Sequence, residues 1–325
     1  MKKSLLFCGV AALAFASCTQ NEVLDVNENR AIGFDAFVGK ATKAVTDLTG
    51  SNLTQFNVFG DFDNGASIVF DNTLVTGSGT PGTWTPADQA YWTTGKTYKF
   101  GAYSDGNYGL TKDSQVSFSN GTLTISGYSV DDSKDLIAAT KEVTCSSGNE
   151  TVDLSFKHLL SKIKFTFSTT AVPTAYKLEV TSITFDGIKT GAGCTFANNA
   201  IATGWSGING TYIVPTLGDY VVEGDEATTQ DILAIPQDNN ITATITIKMS
   251  DEKTGNALVE SKVFTASLAT TTEAKWKPGF VYNYSAEINP DDINEQMKEI
   301  KFTVTSVEGW DANGEVEEDI TDNLQ

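Results

Sequence analysis

The sequence predicts an all-β protein built of antiparallel sandwiches, and three observations carry that expectation. Apolar and polar residues alternate along many short runs, which is the period of a half-buried strand. Turn formers such as Asp63-Asn64-Gly65, Asp105-Gly106-Asn107, Ser119-Asn120-Gly121 and Thr254-Gly255-Asn256 separate these runs. The 325 residues include 28 Gly but only 7 Pro and 3 Met, a balance that suits strands and turns.

In chain order, residues 1–17 read as an export signal. Lys2 and Lys3 precede an apolar stretch at 5–15, and small residues lead to Cys18. The stretch is shorter than the roughly 20 residues a membrane-spanning helix needs. Phe15-Ala16-Ser17-Cys18 resembles a lipobox, which makes Cys18 the lipid-bearing N-terminus of the mature chain. An ordinary secretory signal, cut nearby without lipid, is the alternative. Residues 18–30 are a polar tether ending at Arg30, the only arginine.

The first sandwich is expected over residues 31–150. Ile32, Phe34, Ala36 and Val38 share one face, followed by Phe56, Val58 and Phe62, and then by Tyr98, Phe100 and Ala102. The polar interval around Cys145-Ser146-Ser147-Gly148-Asn149 sets the division near 150. A second sandwich follows over 151–290, with alternation at Val152, Leu154 and Phe156, at Ile163, Phe165 and Phe167, at Ile241 to Met249, and at Tyr282, Tyr284, Ala286 and Ile288. Short helices are expected at 225–235 and 291–299. Residues 291–325 form an extension with 11 acids against Lys298 and Lys301. Within it Ile300, Phe302 and Val304 alternate, Trp310 follows, and Val316 and Ile320 come later. Those apolar residues must bury themselves, either in this chain's own domain or in another chain.

Composition excludes several functions. The net charge of -19 and a lone arginine leave no basic patch for nucleic acid. One histidine, His158, rules out multi-histidine zinc sites and leaves little for imidazole catalysis; it reads as a packing or hydrogen-bonding residue. No nucleophile elbow, P-loop or dinucleotide fingerprint occurs, so no catalytic residue, metal or cofactor is assigned. Asp61-Phe62-Asp63-Asn64-Gly65 and Asp311-Ala312-Asn313-Gly314-Glu315 place glycine wrongly for a calcium loop and read as turns. Cys145 and Cys194 form one disulfide or remain two buried thiols. Trp84, Trp92, Trp205, Trp276 and Trp310 belong in cores and interfaces, with a sugar-stacking platform the lesser reading.

Three segments carry a family resemblance. The run Ala90-Tyr91-Trp92-Thr93-Thr94-Gly95-Lys96-Thr97-Tyr98-Lys99-Phe100-Gly101-Ala102-Tyr103 resembles an element of the fimbrillin family of Bacteroidales, the type V pilins. Asp135-Leu136-Ile137-Ala138-Ala139 with Leu154-Ser155-Phe156-Lys157-His158-Leu159-Leu160-Ser161-Lys162-Ile163, and Trp276-Lys277-Pro278-Gly279-Phe280-Val281-Tyr282, are similar to two more. The resemblance implies two transthyretin-like antiparallel β-sandwich domains with a C-terminal strand-bearing extension. It also implies lipoprotein secretion to the outer membrane and assembly into fimbriae by strand exchange after proteolysis, as a stalk, tip or anchor subunit.

These residues fit that mechanism physically. A sandwich that loses its first strand exposes an unpaired edge and an apolar groove, which a strand from the next pilin subunit fills. Ile32, Phe34, Ala36 and Val38 are the displaced strand. Lys40 and Lys43 offer a trypsin-like surface protease its cut, with Thr42-Lys43-Ala44 standing where the family has arginine. Cutting after Arg30 would free the lipid without opening the groove. Donor candidates are Ile300, Phe302, Val304, Trp310, Val316 and Ile320, unless they complete this chain's own second sandwich; 300–304 can stay intramolecular while the part beyond Trp310 is donated. The partners expected are other pilin subunits, the protease, the outer membrane through the lipid, and a host protein or glycan. The alternative function is a monomeric surface lipoprotein that binds a glycan or another ligand.

Overall fold

Alternating burial along extended backbone organises the molecule. The computed structural model describes residues 31–38, 48–78, 82–106, 110, 112–130, 135–169, 175–200, 202–213, 220–222, 227–228, 231–238, 241–268, 275–288, 293 and 303–310. In the first half, strands β1 (Gly33–Val38), β2 (Gln55–Phe62), β3 (Ser67–Thr76), β4 (Thr85–Pro86), β5 (Thr97–Ser104), β8 (Ile137–Thr144) and β9 (Thr151–His158) make one sheet in the order β1-β9-β8-β5-β2-β3-β4. Its two ends meet, because Phe34 bridges to Trp84 and Ala31 to Tyr91. The sheet thus curls around a core of Phe34, Phe56, Val58, Phe100, Leu154 and Phe156, residues that alternation places on one face.

The all-β expectation holds, with two amendments to its antiparallel pairing. β1 runs parallel to β9, and β10 (Ser161–Ser168) runs parallel to β20 (Phe280–Glu287). Parallel neighbours need a long crossover, and more than a hundred residues separate each pair in sequence. Sheet membership changes at Leu159–Leu160, after β9, rather than at residue 150: Thr151–His158 carries the ladder to β1 and so belongs to the first sheet.

In the second half β10 lies between β20 and two short strands, β14 (Ala227–Thr228) and β15 (Ile232–Ala234), and β21 (Thr303–Gly309) adds to the far side of β20. In place of the helix expected at 225–235, the described residues hold strand at Ala227–Thr228 and Ile232–Ala234. β15 sends Ile232 and Ala234 into the second core and Leu233 into a third core at the junction of the halves, a two-faced burial that only strand geometry supplies. Of 291–299 only Ile293 is described, and it is helical and buried.

A further sheet ties the halves together. The hairpin β6 (Val116–Ser119) and β7 (Thr122–Ser129) comes from the first half, yet it pairs with β11 (Tyr176–Ala197) from the second. β11 also pairs with β17 (Thr242–Asp251), which pairs with β18 (Ala257–Ser267). Its other edge takes β12 (Thr203–Ile213) and β13 (Tyr220–Val222). With 22 residues, at about 3.3 Å each, β11 is long enough to serve both halves. Gly101 on β5 lets the hairpin dock, since the Phe118 ring occupies the space that a side chain there would need. β16 (Gln237–Asp238) and β19 (Lys275–Trp276) form a small separate pair.

One corner is built twice. Trp92-Thr93-Thr94-Gly95-Lys96-Thr97-Tyr98 leads into β5, and Trp276-Lys277-Pro278-Gly279-Phe280-Val281-Tyr282 leads into β20. In each, the N–H after the tryptophan donates to the tyrosine hydroxyl five residues on, at 2.7 Å in both. Gly95 and Gly279 take φ of +81° and +74° to make the turn.

Candidate strand-exchange site

β1, the first described strand, is set inside a closed sheet. Its ladder to β9 runs from Gly33↔Thr151 to Val38↔Phe156. On the other side Ile32 N–H donates to the Ala90 carbonyl at 2.9 Å, and Gly82 N–H donates to Asp35 Oδ1 at 2.5 Å. Ile32, Phe34 and Ala36 are buried, Val38 packs half-buried on the same core, and Phe37 faces out at 46% exposure. The Phe34 ring meets Phe56, Phe70 and Phe100 edge-on, at centroid distances of 6.2, 5.3 and 5.9 Å. The four residues expected to share a face do so, and they close the first core.

The rim of this slot is shaped by Glu150, just before β9. Its carboxylate accepts N–H bonds from Ser146, Ser147 and Gly148 at 2.7, 2.7 and 2.8 Å. These bonds to the charged form bring its pKa down to about 2. Trp92 Nε1–H donates to the Glu150 carbonyl at 2.9 Å, fixing the same turn to the corner before β5.

The C-terminal strand is held differently. β21 pairs with β20 from Phe280↔Gly309 to Ser285↔Thr303 and ends its sheet among the described residues. Val304 packs into the second core. Trp310 N–H donates to the Gly279 carbonyl at 2.6 Å, and its fully buried indole enters the junction core. There the ring stacks on His158 at 4.1 Å and 5°. Lys162 Nζ lies 4.1 Å from the indole centroid, an attraction strengthened by exclusion of water. Lys162 is itself completely buried, 3.1 Å from Asp231 Oδ2, and Lys164 takes the other oxygen at 3.0 Å. His158 Nδ1 is 2.8 Å from Asp135 Oδ2, which also accepts the Leu48 N–H at 2.9 Å.

Val304 and Trp310 are therefore packed within their own chain. Cys18, Arg30, Lys40, Lys43, Ile300, Phe302, Val316 and Ile320 lie outside the described residues. His158 has the packing and hydrogen-bonding role expected of it. Asp135, Lys162 and Asp231 were not foreseen: each is remote in sequence from its partner, and a lysine in an alternating strand reads as solvent-facing. Cys145 and Cys194 are free buried thiols, in the first and the junction core respectively. Trp84, Trp92, Trp276 and Trp310 are buried and Trp205 partly so, which leaves those four rings unable to serve as a sugar platform.

The fold is that of an all-β protein in which β1 closes the first core and β21 ends its sheet among the described residues. The chain belongs to the fimbrillin-like family, whose model matches residues 42–310. It is accordingly a pilus- or adhesion-related protein of the cell surface. Among solved structures, a candidate cell adhesion protein from Bacteroides uniformis is similar at 16% identity and a TM-score of 0.52, covering 87% of this chain and 100% of that one. One from Bacteroides ovatus has 14% identity and a TM-score of 0.52, covering 86% and 98%. At these identities the likeness is one of fold. No curated protein matches the chain.

Proposed function

We propose that this chain is a fimbrial subunit, exported as a lipoprotein through Cys18 to the outer membrane and assembled by strand exchange after proteolysis. The observation that carries the reading is the seating of β1. A strand at the start of the described chain fills a closed apolar core and is followed within a few residues by Lys40 and Lys43. Cutting there and removing β1 would uncover the β9 edge and an aromatic-lined groove, the receptor for a strand of the next subunit. The segment beyond Trp310 is the donor, with Val316 and Ile320 as its apolar residues, while β21 stays on its own sheet. Other pilin subunits and a trypsin-like surface protease are the partners.

The test is to treat purified precursor with a trypsin-like protease. A product beginning at Ala44 and ladders that resist mild denaturant are expected, and deletion of residues 311–325 should abolish the ladders without unfolding the monomer. A trimmed protein that stays monomeric, or ladders unaffected by the deletion, would overturn the reading.

A further inference from the structure

We propose that a polar cleft on the outer face of the first sheet binds a neutral saccharide, recognised through its vicinal hydroxyls. The cleft encloses about 440 Å³, a volume within the usual range of small-ligand sites. It is lined by β5 and β8 and by two tight turns, Asn120-Gly121 between β6 and β7 and Asn198-Asn199 between β11 and β12. Lys99, Thr140 and Glu142 alternate along their strands with Tyr98, Phe100, Ala139 and Val143, which pack on the first core. Alternation turns the first three to the opposite side, so the cleft and the β1 groove lie on opposite faces of one sheet.

Both turns are locked through one end of an amide. Thr140 N–H donates to Asn199 Oδ1 at 3.2 Å, and Asn199 N–H donates back to Thr140 Oγ1 at 2.6 Å. Lys99 Nζ donates to Asn120 Oδ1 at 2.5 Å. With each amide oxygen committed, each Nδ2 group remains a fixed donor that has no partner among the described residues. Gly121, at φ +82°, leaves room for the Lys99 stem, because a Cβ there would come within 3.3 Å of Lys99 Cδ. Lys141 and Glu142 add an ammonium and a carboxylate to the lining, and neither makes an ion pair or hydrogen bond among the described residues.

This mixture of groups narrows the ligand. A phosphate favours clustered cations, but Lys99 stands in the ladder between Asp61 and Glu142, and Lys141 adjoins Glu142 in sequence, so positive charge is offset locally. A divalent cation requires a shell of oxygens, and here amide nitrogens and ammoniums are interspersed with them. An apolar ligand would strand the polar lining without partners. An extended peptide adds to an open strand edge, whereas this cleft is walled by two turns. A sugar hydroxyl both donates and accepts. Neighbouring hydroxyls can accept from the Nδ2 groups of Asn120 and Asn199 and donate to Glu142, while the ring lies on the methylene stems of Lys99 and Lys141.

An NMR titration of the isotope-labelled full chain in detergent tests this. Maltotriose, cellotriose and mannotriose are the probes, with inorganic phosphate, calcium chloride and a blocked alanine tripeptide as competing classes. At least one trisaccharide should give saturable shifts of the Gly121, Thr140, Glu142 and Asn199 amides. Asn120→Asp and Asn199→Asp keep the oxygen that holds each turn and replace only the free nitrogen, so each should weaken that binding at least tenfold. Glu142→Gln should weaken it at least threefold, and Glu260→Gln, on β18, should leave it unchanged. No saturable shift with any trisaccharide would overturn the proposal, as would binding that the asparagine variants leave intact. Tighter binding of phosphate, calcium or the tripeptide at the same amides would overturn it too. If one asparagine variant shifts resonances throughout the chain, the other and Glu142→Gln decide.

Discussion

β1 and β21 sit near opposite ends of the chain and are gripped in opposite ways. β1 lies between β9 and the β4 side of a closed sheet, with three side chains in the core and an aromatic ring at its centre. β21 has one described neighbour; of its described side chains Val304 packs in the second core, and Trp310 just beyond the strand is buried in the junction core. The duplicated corner makes the contrast sharper. After Gly95 the chain runs into β5, which is flanked by β2 and β8, and β8 is covered in turn by β9. After Gly279 it runs into β20, which is flanked by β10 and β21, and β21 ends its sheet among the described residues. The same local geometry thus serves a closed sheet in one half and an open one in the other. A closed sheet makes its first strand strongly held and leaves a deep groove when that strand goes. In the open sheet β21 is backed by one described neighbour, and its hold on the cores comes from Val304 and from Trp310 just beyond it.

The largest test of this contrast is a pair of truncations in the full chain, read by urea denaturation. Phe34→Ala should destabilise the protein by about 3–5 kcal/mol, as loss of a buried aromatic ring does, whereas Val304→Ala should cost about 1 kcal/mol at its core margin. Equal losses would break the comparison. Next comes the buried charge beneath Trp310. Lys162→Met should cost about 2 kcal/mol, less than a fully orphaned partner would, because Asp231 keeps Lys164. Lys164→Met, at a half-buried site, should cost under about 1 kcal/mol. If Lys164 proves the more costly, the ammonium is not what holds the indole.

A smaller effect distinguishes the rims. The Glu150 pKa lies near 2 in the folded chain, below its ordinary value of 4.5, because backbone N–H groups favour its charged form. The stabilisation it gives the turn is therefore complete above about pH 4.5 and is lost as pH falls through about 2. Amide protection of Ser146, Ser147 and Gly148 should fall across that window and lie flat in Glu150→Gln. A wild-type profile as flat as the variant's would show that Glu150 does not set the rim.

The thiols give the finest probe. Burial pushes both up, Cys194 to about 12, so neither forms thiolate near neutrality. Neither should react with a disulfide reagent at pH 8 in the intact chain. After β1 is removed Cys145, in the first core, should react while Cys194, in the junction core, stays inert. Simultaneous reaction would mean that the two regions open as one.

Much of this was legible in the residues. Ile32, Phe34 and Ala36 share a buried face because side chains alternate across any strand, wherever the strand ends up. The aromatic runs at Tyr98, Phe100 and Ala102 and at Tyr282, Tyr284 and Ala286 behave in the same way. Segments with two buried faces were harder. Residues 232–234 bury every side chain between two cores, so no polar face survives to report the period, and helix and strand become indistinguishable.

By itself, the sequence determined most strand identities, strand faces and the tight turns, because these depend on neighbours one to five residues apart. Only the tertiary structure decided which strands meet. Among those pairings are the parallel β1 and β9, the hairpin β6–β7 handed across to β11, and the His158, Trp310, Lys162 and Asp231 cluster that joins three distant segments. Such contacts cost chain entropy that grows with the loop they close. They are selected by how whole cores fill, and no local pattern of residues records that.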